Sequence, residues 1–263
     1  MAPPKAPSPA KTKIVPLLPP AGPLRLTGKV AVVTGASRGI GYAIAHAIAM
    51  EGGDVVITGR DLSHLTRSAA QLRNEVRGPA KIVAMACDVR APESVARMFA
   101  VVQRRFGKLD VLVNNAGISQ RPTPLQETSL EMWREIVDIN LTGMFLCTRA
   151  ALPLMQRGAT IINNLSAAAK QVFPNFAAYT AAKRGAYGFT LAVREELMPR
   201  GIRVTAMMPG ATSTGLWDQI MPGADRERMI SVEQVAQAVL YAVLLPPEAN
   251  LSEILLTPTA GAI

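Results

Sequence analysis

Short apolar runs alternate with longer amphipathic stretches from about residue 29 onward. The runs rich in β-branched residues are Val30–Thr34, Asp54–Thr58, Lys81–Cys87, Val111–Asn114, Thr160–Asn164, Arg203–Met208 and Glu253–Thr257. Several are apolar at consecutive positions rather than at every second one. A strand with one face in water alternates, whereas a strand covered on both faces has no need to. Between the runs, helical periodicity appears near 39–51, 62–76, 92–106, 129–157, 178–199 and 232–245. Strand and helix alternating in this way predict an α/β chain. Its architecture would be one doubly wound domain, a seven-stranded parallel sheet with helices on both faces and right-handed crossovers. No internal repeat and no second domain is visible.

Composition fits one large domain and adjusts its edges. Of 263 residues, 49% are hydrophobic, enough for a sizeable core, and with aromatics at 5% that core must be aliphatic. Residues 1–24 hold eight prolines, which exclude a helix and leave little to bury. Residues 1–25 therefore read as a disordered Pro-rich tail and 26–263 as the domain. No sustained apolar stretch follows the tail's charges, so a signal peptide is not expected. With no 18-residue apolar run, neither is a membrane span, and a cytoplasmic protein is. Cys87 and Cys147 each sit in an apolar run and read as buried free thiols. His46 and His64 have no ligand cluster around them, so no metal site is predicted.

The net charge of +9 raises the question of nucleic acid, but its distribution argues against it. Residues 1–50 carry Lys5, Lys11, Lys13, Arg25, Lys29 and Arg38 and no acid, which leaves +3 for the other 213 residues. No basic cluster is interleaved with aromatics, and the basic tail has no amphipathic face for a membrane.

Candidate chemistry begins where the first strand ends, in Thr34-Gly35-Ala36-Ser37-Arg38-Gly39-Ile40-Gly41. Glycines there let the backbone approach a phosphate, and the following helix offers free N–H groups and a partial positive charge. Farther along, Tyr179-Thr180-Ala181-Ala182-Lys183 places a phenol and an ammonium on one helix face. A fixed cation nearby favours the phenolate, which would bring a phenol of ordinary pKa about 10 toward neutral pH. Ser166, just past the fifth strand run, can hold a substrate oxygen and share its developing charge.

These motifs resemble the short-chain dehydrogenase/reductase family, notably its 3-oxoacyl-ACP-reductase-like members. The likeness covers about residues 26–258 and implies a Rossmann-type domain. The TGxxxGxG turn at Thr34–Gly41 would be its cofactor loop, with Gly35, Ser37, Arg38, Gly39, Ile40 and Gly41 in contact. Ser166 lies 13 residues before Tyr179, the family's usual spacing. Asn140 matches the family's helix asparagine, which supports a water linked to the lysine. Asn140, Ser166, Tyr179 and Lys183 would then be the catalytic set, with Lys183 and Tyr179 also reaching the nicotinamide ribose. Asn115-Ala116-Gly117, within the NNAG match, would border the cofactor. Asp88-Val89 would meet the adenine, unless Asp88 simply caps the helix near 92. Pro209-Gly210, Thr212 and Thr214 resemble the segment that holds the nicotinamide carboxamide.

Gly59 stands where NAD-preferring members carry an acid. Arg60 follows it, and Arg38 lies in the glycine loop. Guanidinium groups fork onto phosphate oxygens, so NADP(H) is favoured over NAD(H). The rival reading makes Asp61 the ribose ligand and Arg60 a surface charge. Departures from the family pattern are Leu165, Asn164 and a short substrate lid near 214–231. Leu216, Trp217, Ile220 and Met221 would wall the pocket, with Phe173 and Phe176 opposite, or else pack onto the core. The expectation is hydride transfer between NADP(H) and a small-molecule ketone, aldehyde or 3-oxoacyl compound, with an NADP-binding sensor or assembly partner as the alternative. The resemblance also implies a homodimer or homotetramer through the helices near 129–157 and 178–199.

Overall fold

All four residues of Val30–Val33 are buried, but alternate side chains enter different cores. Ala31 and Val33 join one apolar cluster, and Val30 and Val32 join the other. That double coverage is what consecutive apolar positions require. In the computed structural model, which describes residues 24–76 and 78–261, this segment is β1. It is followed by β2 (Asp54–Gly59), β3 (Ile82–Ala86), β4 (Val111–Asn114), β5 (Thr160–Asn164), β6 (Arg203–Pro209) and β7 (Glu253–Leu256). All pair in parallel in one sheet of order β3-β2-β1-β4-β5-β6-β7.

One face of the sheet is covered by α1 (Gly39–Met50), α2 (Leu62–Glu75) and, in the second half of the chain, α8 (Val232–Leu244). The other is covered by α3 (Pro92–Phe106), α5 (Gly143–Ala151) and α6 (Ala177–Leu197). A further helix, α4 (Leu130–Val137), lies against α6 through Ile136, Ala178 and Ala182. The chain leaves β1 toward β2 and β3, then returns to place β4 on β1's other side. At that reversal the connections diverge and open a crevice beyond the carboxyl ends of β1 and β4.

Local signals set the helix ends. Asp61 caps α2 through the Ser63 and His64 N–H groups, and Ser231 with Gln234 forms a capping box on α8. Pro92 opens α3, and Gly107, at φ 71°, closes it.

Two expectations need correction. The stretch near 129–157 is not one helix. Asn140 donates to the Ile136 carbonyl at 2.9 Å, and there the backbone widens into a π turn, Asp138–Thr142, between α4 and α5. A polar side chain that bonds back onto the helix competes with the regular ladder. The predicted tail falls outside the described residues as far as residue 23. Leu24 and Arg25 belong to the domain instead. The Leu24 carbonyl accepts from Thr27, and Arg25 pairs with Glu51 at the end of α1. Cys87 and Cys147 are free and buried, and burial pushes both thiols up. Among the described residues, no helix is long and apolar enough to cross a membrane.

Arg203, at the start of β6, is buried and ties the sheet to α8. It donates to the Ala242, Val243 and Ala249 carbonyls and, at 2.7 Å, to Thr160 Oγ1. The guanidinium thus satisfies carbonyls at the end of α8 that have no helical partner. Its removal would orphan three buried acceptors and the part-buried Ala249 carbonyl. Arg203→Met is expected to cost about 2–4 kcal/mol in urea unfolding, while activity per folded molecule stays unchanged.

Candidate active site

The base of the crevice is a hydrogen-bonded platform. Thr34 Oγ1, just past β1, accepts from the Asn115 and Ala116 N–H groups, both at 2.9 Å. Asn115 Nδ2 donates back to the Thr34 and Gly35 carbonyls at 2.8 and 3.1 Å. Asn164 Nδ2 then donates to Asn115 Oδ1 at 2.8 Å. The ends of β1, β4 and β5 are thereby fixed relative to one another. Gly35 adopts φ 63°, and a Cβ on Gly41 would lie 2.4 Å from Asn115 Nδ2. The turn therefore demands glycine for conformation at Gly35 and for space at Gly41.

Above this platform lies a cavity of about 520 Å³. Gly35, Arg38, Gly39, Ile40 and Gly41 line its glycine-loop end, with Asn115 and Gly117 beside them. Arg38 is exposed at the N-cap of α1. Ser37 does not line the cavity. Its carbonyl accepts from Ser68 Oγ at 2.8 Å. Arg60 is exposed at the end of β2, outside the cavity wall but near enough to Asp88 to help hold that carboxyl down. The larger cause is the hydrogen bond from Arg90. Asp88 does not cap α3, whose N-cap is Ala91. Asp61 spends its carboxylate on capping α2, bonding the Ser63 hydroxyl and the Ser63 and His64 N–H groups. Val89 is buried and packs against Gly143.

Farther in, Asn140, Ser166, Tyr179 and Lys183 line the same cavity. Helical spacing on α6 puts the Lys183 ammonium 5.6 Å from the centre of the Tyr179 ring. Ser166 leaves β5 in extended backbone, and its Oγ caps the short turn Ala167–Ala169. Lys183 is buried, and among the described residues its Nζ donates only to the Asn164 carbonyl, at 3.3 Å. Asn140 donates to the Ile118 and Ile136 carbonyls, which leaves its buried Oδ1 without a partner. A Cβ on Gly117 would lie 2.8 Å from that oxygen and 3.5 Å from Lys183 Nζ. Gly117 thus keeps open the space between an unpaired acceptor and an under-bonded ammonium, which suits a bridging water.

Burial sets the titration of this cluster. It lowers Lys183 to about 8, because the charged form loses hydration with little to replace it. It also raises the Tyr179 phenol, and the Ser166 hydroxyl beside it works against that rise. The expectation that Lys183 would lower the phenol is therefore reversed. The ammonium lies over the ring, and desolvation of the phenolate is the larger cause acting on the hydroxyl. A protonated phenol is the form that can donate to a carbonyl oxygen.

Much of the remaining lining is apolar. Leu216, Trp217, Ile220 and Met221 face the cavity from the segment 214–231, and Phe173 and Phe176 line it as well. The segment folds into a short helix, α7 (Trp217–Ile220), pinned by Trp217 Nε1 donating to the Thr212 carbonyl at 2.9 Å. Pro209, Gly210, Thr212 and Thr214 complete the wall beyond β6. Asp88, Val89 and Ala116, unlike most of the predicted contacts, do not line the cavity.

Fold and cleft together define an α/β nucleotide-crevice protein with a Ser–Tyr–Lys cluster. The family model for short chain dehydrogenases matches residues 29–225, and the chain belongs to that family. It is 41% identical over 197 residues to a 3-oxoacyl-[acyl-carrier-protein] reductase of Synechocystis sp., covering 74% of this chain and 78% of the relative. Among solved structures it resembles a metagenomic short-chain oxidoreductase in complex with NADP, at TM-score 0.77 and 32% identity, covering 89% of this chain and 99% of that one. It also resembles an alcohol dehydrogenase of Thermococcus sibiricus complexed with 5-hydroxy-NADP, at TM-score 0.82 and 30% identity over 89% and 98% of the two chains.

Sequence motifs missed Gln120, Asn164's bond to Asn115 and the cavity contacts of Ser119 and Gln171. One signal was available for Gln120. Phe176 cannot cap α6 with its side chain, so the helix start needs a partner from elsewhere.

The buried ammonium yields a stability prediction. Lys183 has a folded pKa of about 8 against 10.5 ordinarily, so folding opposes its charge. That cost is full below the folded value and vanishes above the unfolded one. Lys183→Met is expected to unfold at a higher temperature than wild type at pH 7, by about 1–3 kcal/mol in stability. The gain should shrink between pH 8 and 10.5, which thermal melts across that window would read.

Proposed function

We propose that this chain transfers a hydride between NADP(H) and a carbonyl/alcohol pair, with an uncharged, largely apolar ketone, aldehyde or 3-oxoacyl compound as substrate. One observation carries the reading. Tyr179, Ser166 and Lys183 line one cavity that Phe173, Phe176, Leu216, Trp217, Ile220 and Met221 also line.

The residues present fit such a cofactor. Gly35, Gly39 and Gly41 bring the glycine-loop backbone to the cavity, and α1 offers its N-terminal N–H groups to a pyrophosphate. Lys183 Nζ has spare donors for ribose hydroxyls, and Asn140 Oδ1 is an unpaired acceptor. Thr212 and Thr214 would meet the carboxamide. When bound, the cofactor supplies or takes the hydride. Arg38 supports a 2′-phosphate through its exposed guanidinium at the cavity edge, with Arg60 as a second candidate. Asp61 is engaged in capping α2, which weakens its case as a ribose ligand. NADP in the related metagenomic oxidoreductase supports the same choice.

In the reducing direction Ser166 holds the carbonyl oxygen and Tyr179 delivers a proton to it as the hydride arrives at carbon. The products are the alcohol and the oxidised cofactor. Lys183 stabilises the phenolate left behind, and a water between Asn140 Oδ1 and Lys183 Nζ would pass a proton from bulk solvent back to it. The apolar wall accepts a hydrophobic arm and disfavours a carboxylate or phosphate there, because a charge would lose its hydration unpaired. Exposed Leu130, Trp133 and Phe145 on α4 and α5 support assembly as a dimer or tetramer, in the cytoplasm.

The test is NADPH absorbance with a panel of carbonyl compounds. Turnover is expected for apolar ketones or aldehydes, and Tyr179→Phe should lower kcat by at least about a hundredfold. No turnover across the panel, or an unimpaired Tyr179→Phe, would contradict the reading. Arg38→Ala should raise the KM for NADPH about tenfold and leave that for NADH within about twofold. Steady-state kinetics with both cofactors would show it.

A further inference from the structure

The catalytic helix starts without a cap of its own. Phe176 stands at the N-cap position of α6 and contributes no side-chain bond, although the first-turn N–H groups of any helix lack helical partners. Asn175, just before it, is the one non-glycine residue with a left-handed backbone among those described, at φ 65°. That conformation ends the helical path backward, so Tyr179 N–H and the Asn175 carbonyl, four residues apart, do not bond each other.

Gln120 takes both roles. It sits in the loop after β4, three residues beyond Gly117, and is 4% exposed. Its Oε1 accepts the Tyr179 N–H at 3.1 Å, and its Nε2 donates to the Asn175 carbonyl at 3.1 Å. The amide's orientation is unambiguous, because an N–H only donates and a carbonyl only accepts. One side-chain amide is thus inserted between the two groups that a longer helix would have joined. Thr123 N–H reinforces the link with its own bond to the Asn175 carbonyl at 2.8 Å.

We infer that Gln120 is a positioning residue for Tyr179, a cap supplied from the β4 loop. The consequence is geometric. The same loop carries Gly117, which borders Asn140 Oδ1 and Lys183 Nζ, and Ile118 and Ser119, which line the cavity. Gln120 fixes the backbone nitrogen of the residue that carries the reactive phenol to the loop that borders the proton relay. A phenol must stay within hydrogen-bond reach of the substrate oxygen, and small displacements are costly in rate. Nothing in the neighbouring sequence replaces this bond, since the residues at 176–178 are Phe, Ala and Ala.

The inference rests on the hydride-transfer reading for its kinetic consequence but not for its geometry, so the test has two arms. Labelling with ¹⁵N-tyrosine gives signals from only four residues, Tyr42, Tyr179, Tyr187 and Tyr241, and Tyr179→Phe identifies the one needed. In Gln120→Leu the Tyr179 amide is expected to exchange with deuterium about tenfold faster, with Tyr187 changed less than about twofold. Gln120→Glu keeps an acceptor for the N–H but loses the donor to the Asn175 carbonyl, so it should restore part of the protection, leaving exchange slower than in Gln120→Leu. Wild-type exchange at Tyr179 in Gln120→Leu, or equal loss of protection in both variants, would overturn the cap.

In the kinetic arm, Gln120→Leu should lower kcat about tenfold with the KM for NADPH within about twofold. Gln120→Glu should recover most of that rate. Because its carboxylate disfavours the phenolate, it should also move the acidic limb of alcohol oxidation, along which the rate rises with pH, to higher pH. An unchanged kcat in Gln120→Leu would overturn the positioning role. A wild-type chain without turnover would instead overturn the hydride-transfer reading, and the exchange measurement would still decide the cap.

Discussion

A buried lysine is expensive unless something compensates its charge, and Lys183 has a single protein partner, the Asn164 carbonyl, among the described residues. Much of the site is arranged around that deficit. Asn164 Nδ2 is held by Asn115, and Asn115 is held by the turn that starts the glycine loop, so the carbonyl facing the ammonium cannot drift. Gly117 leaves room beside the ammonium, and Asn140 directs no donor of its own into that room. The spare donors of Lys183 are therefore available to a ligand and to water rather than consumed by the fold.

The sheet makes this arrangement affordable in energetic terms. Two apolar clusters sandwich the strands and anchor their carboxyl ends, so polar groups can gather at one edge without loosening the rest. Just below the site, Asn114 donates to Thr148 and Asn163, and Asn163 donates to Thr190, in a buried polar ladder that joins β4 and β5 to α5 and α6. The Nδ2 groups of both asparagines are engaged, while Asn114 Oδ1 has no partner among the described residues, and such bonds restrict movement of the elements they join. The same helix that presents Tyr179 and Lys183 is therefore fixed at Thr190 by the ladder and at Tyr179 by Gln120.

The strands and the pairing of Tyr179 with Lys183 were legible in the sequence because they depend on local pattern. Consecutive apolar residues mark a strand covered on both faces, and i, i+4 spacing puts Tyr179 beside Lys183 whatever surrounds them. What escaped depends on contacts between distant segments. The π turn around Asn140 arises because a side chain bonds back to Ile136 and across to Ile118, which periodicity cannot reveal. Leu24 and Arg25 looked like tail because prolines precede them, but Glu51 and Gly52 hold them to the domain. The direction of the Tyr179 shift was misjudged for a related reason. Spacing gave the proximity of the cation, whereas the competing desolvation comes from the whole cavity wall.

The central claim is that a lysine destabilised by burial must nevertheless carry its proton for the phenol to work. The most direct measurement is the pH dependence of kcat/KM for NADPH in carbonyl reduction by the wild-type chain, which reports groups of the free enzyme. The account predicts a plateau at neutral pH that gives way near pH 8, where Lys183 loses its charge, to a fall of about tenfold per pH unit. A profile that stays level to pH 10 would contradict it.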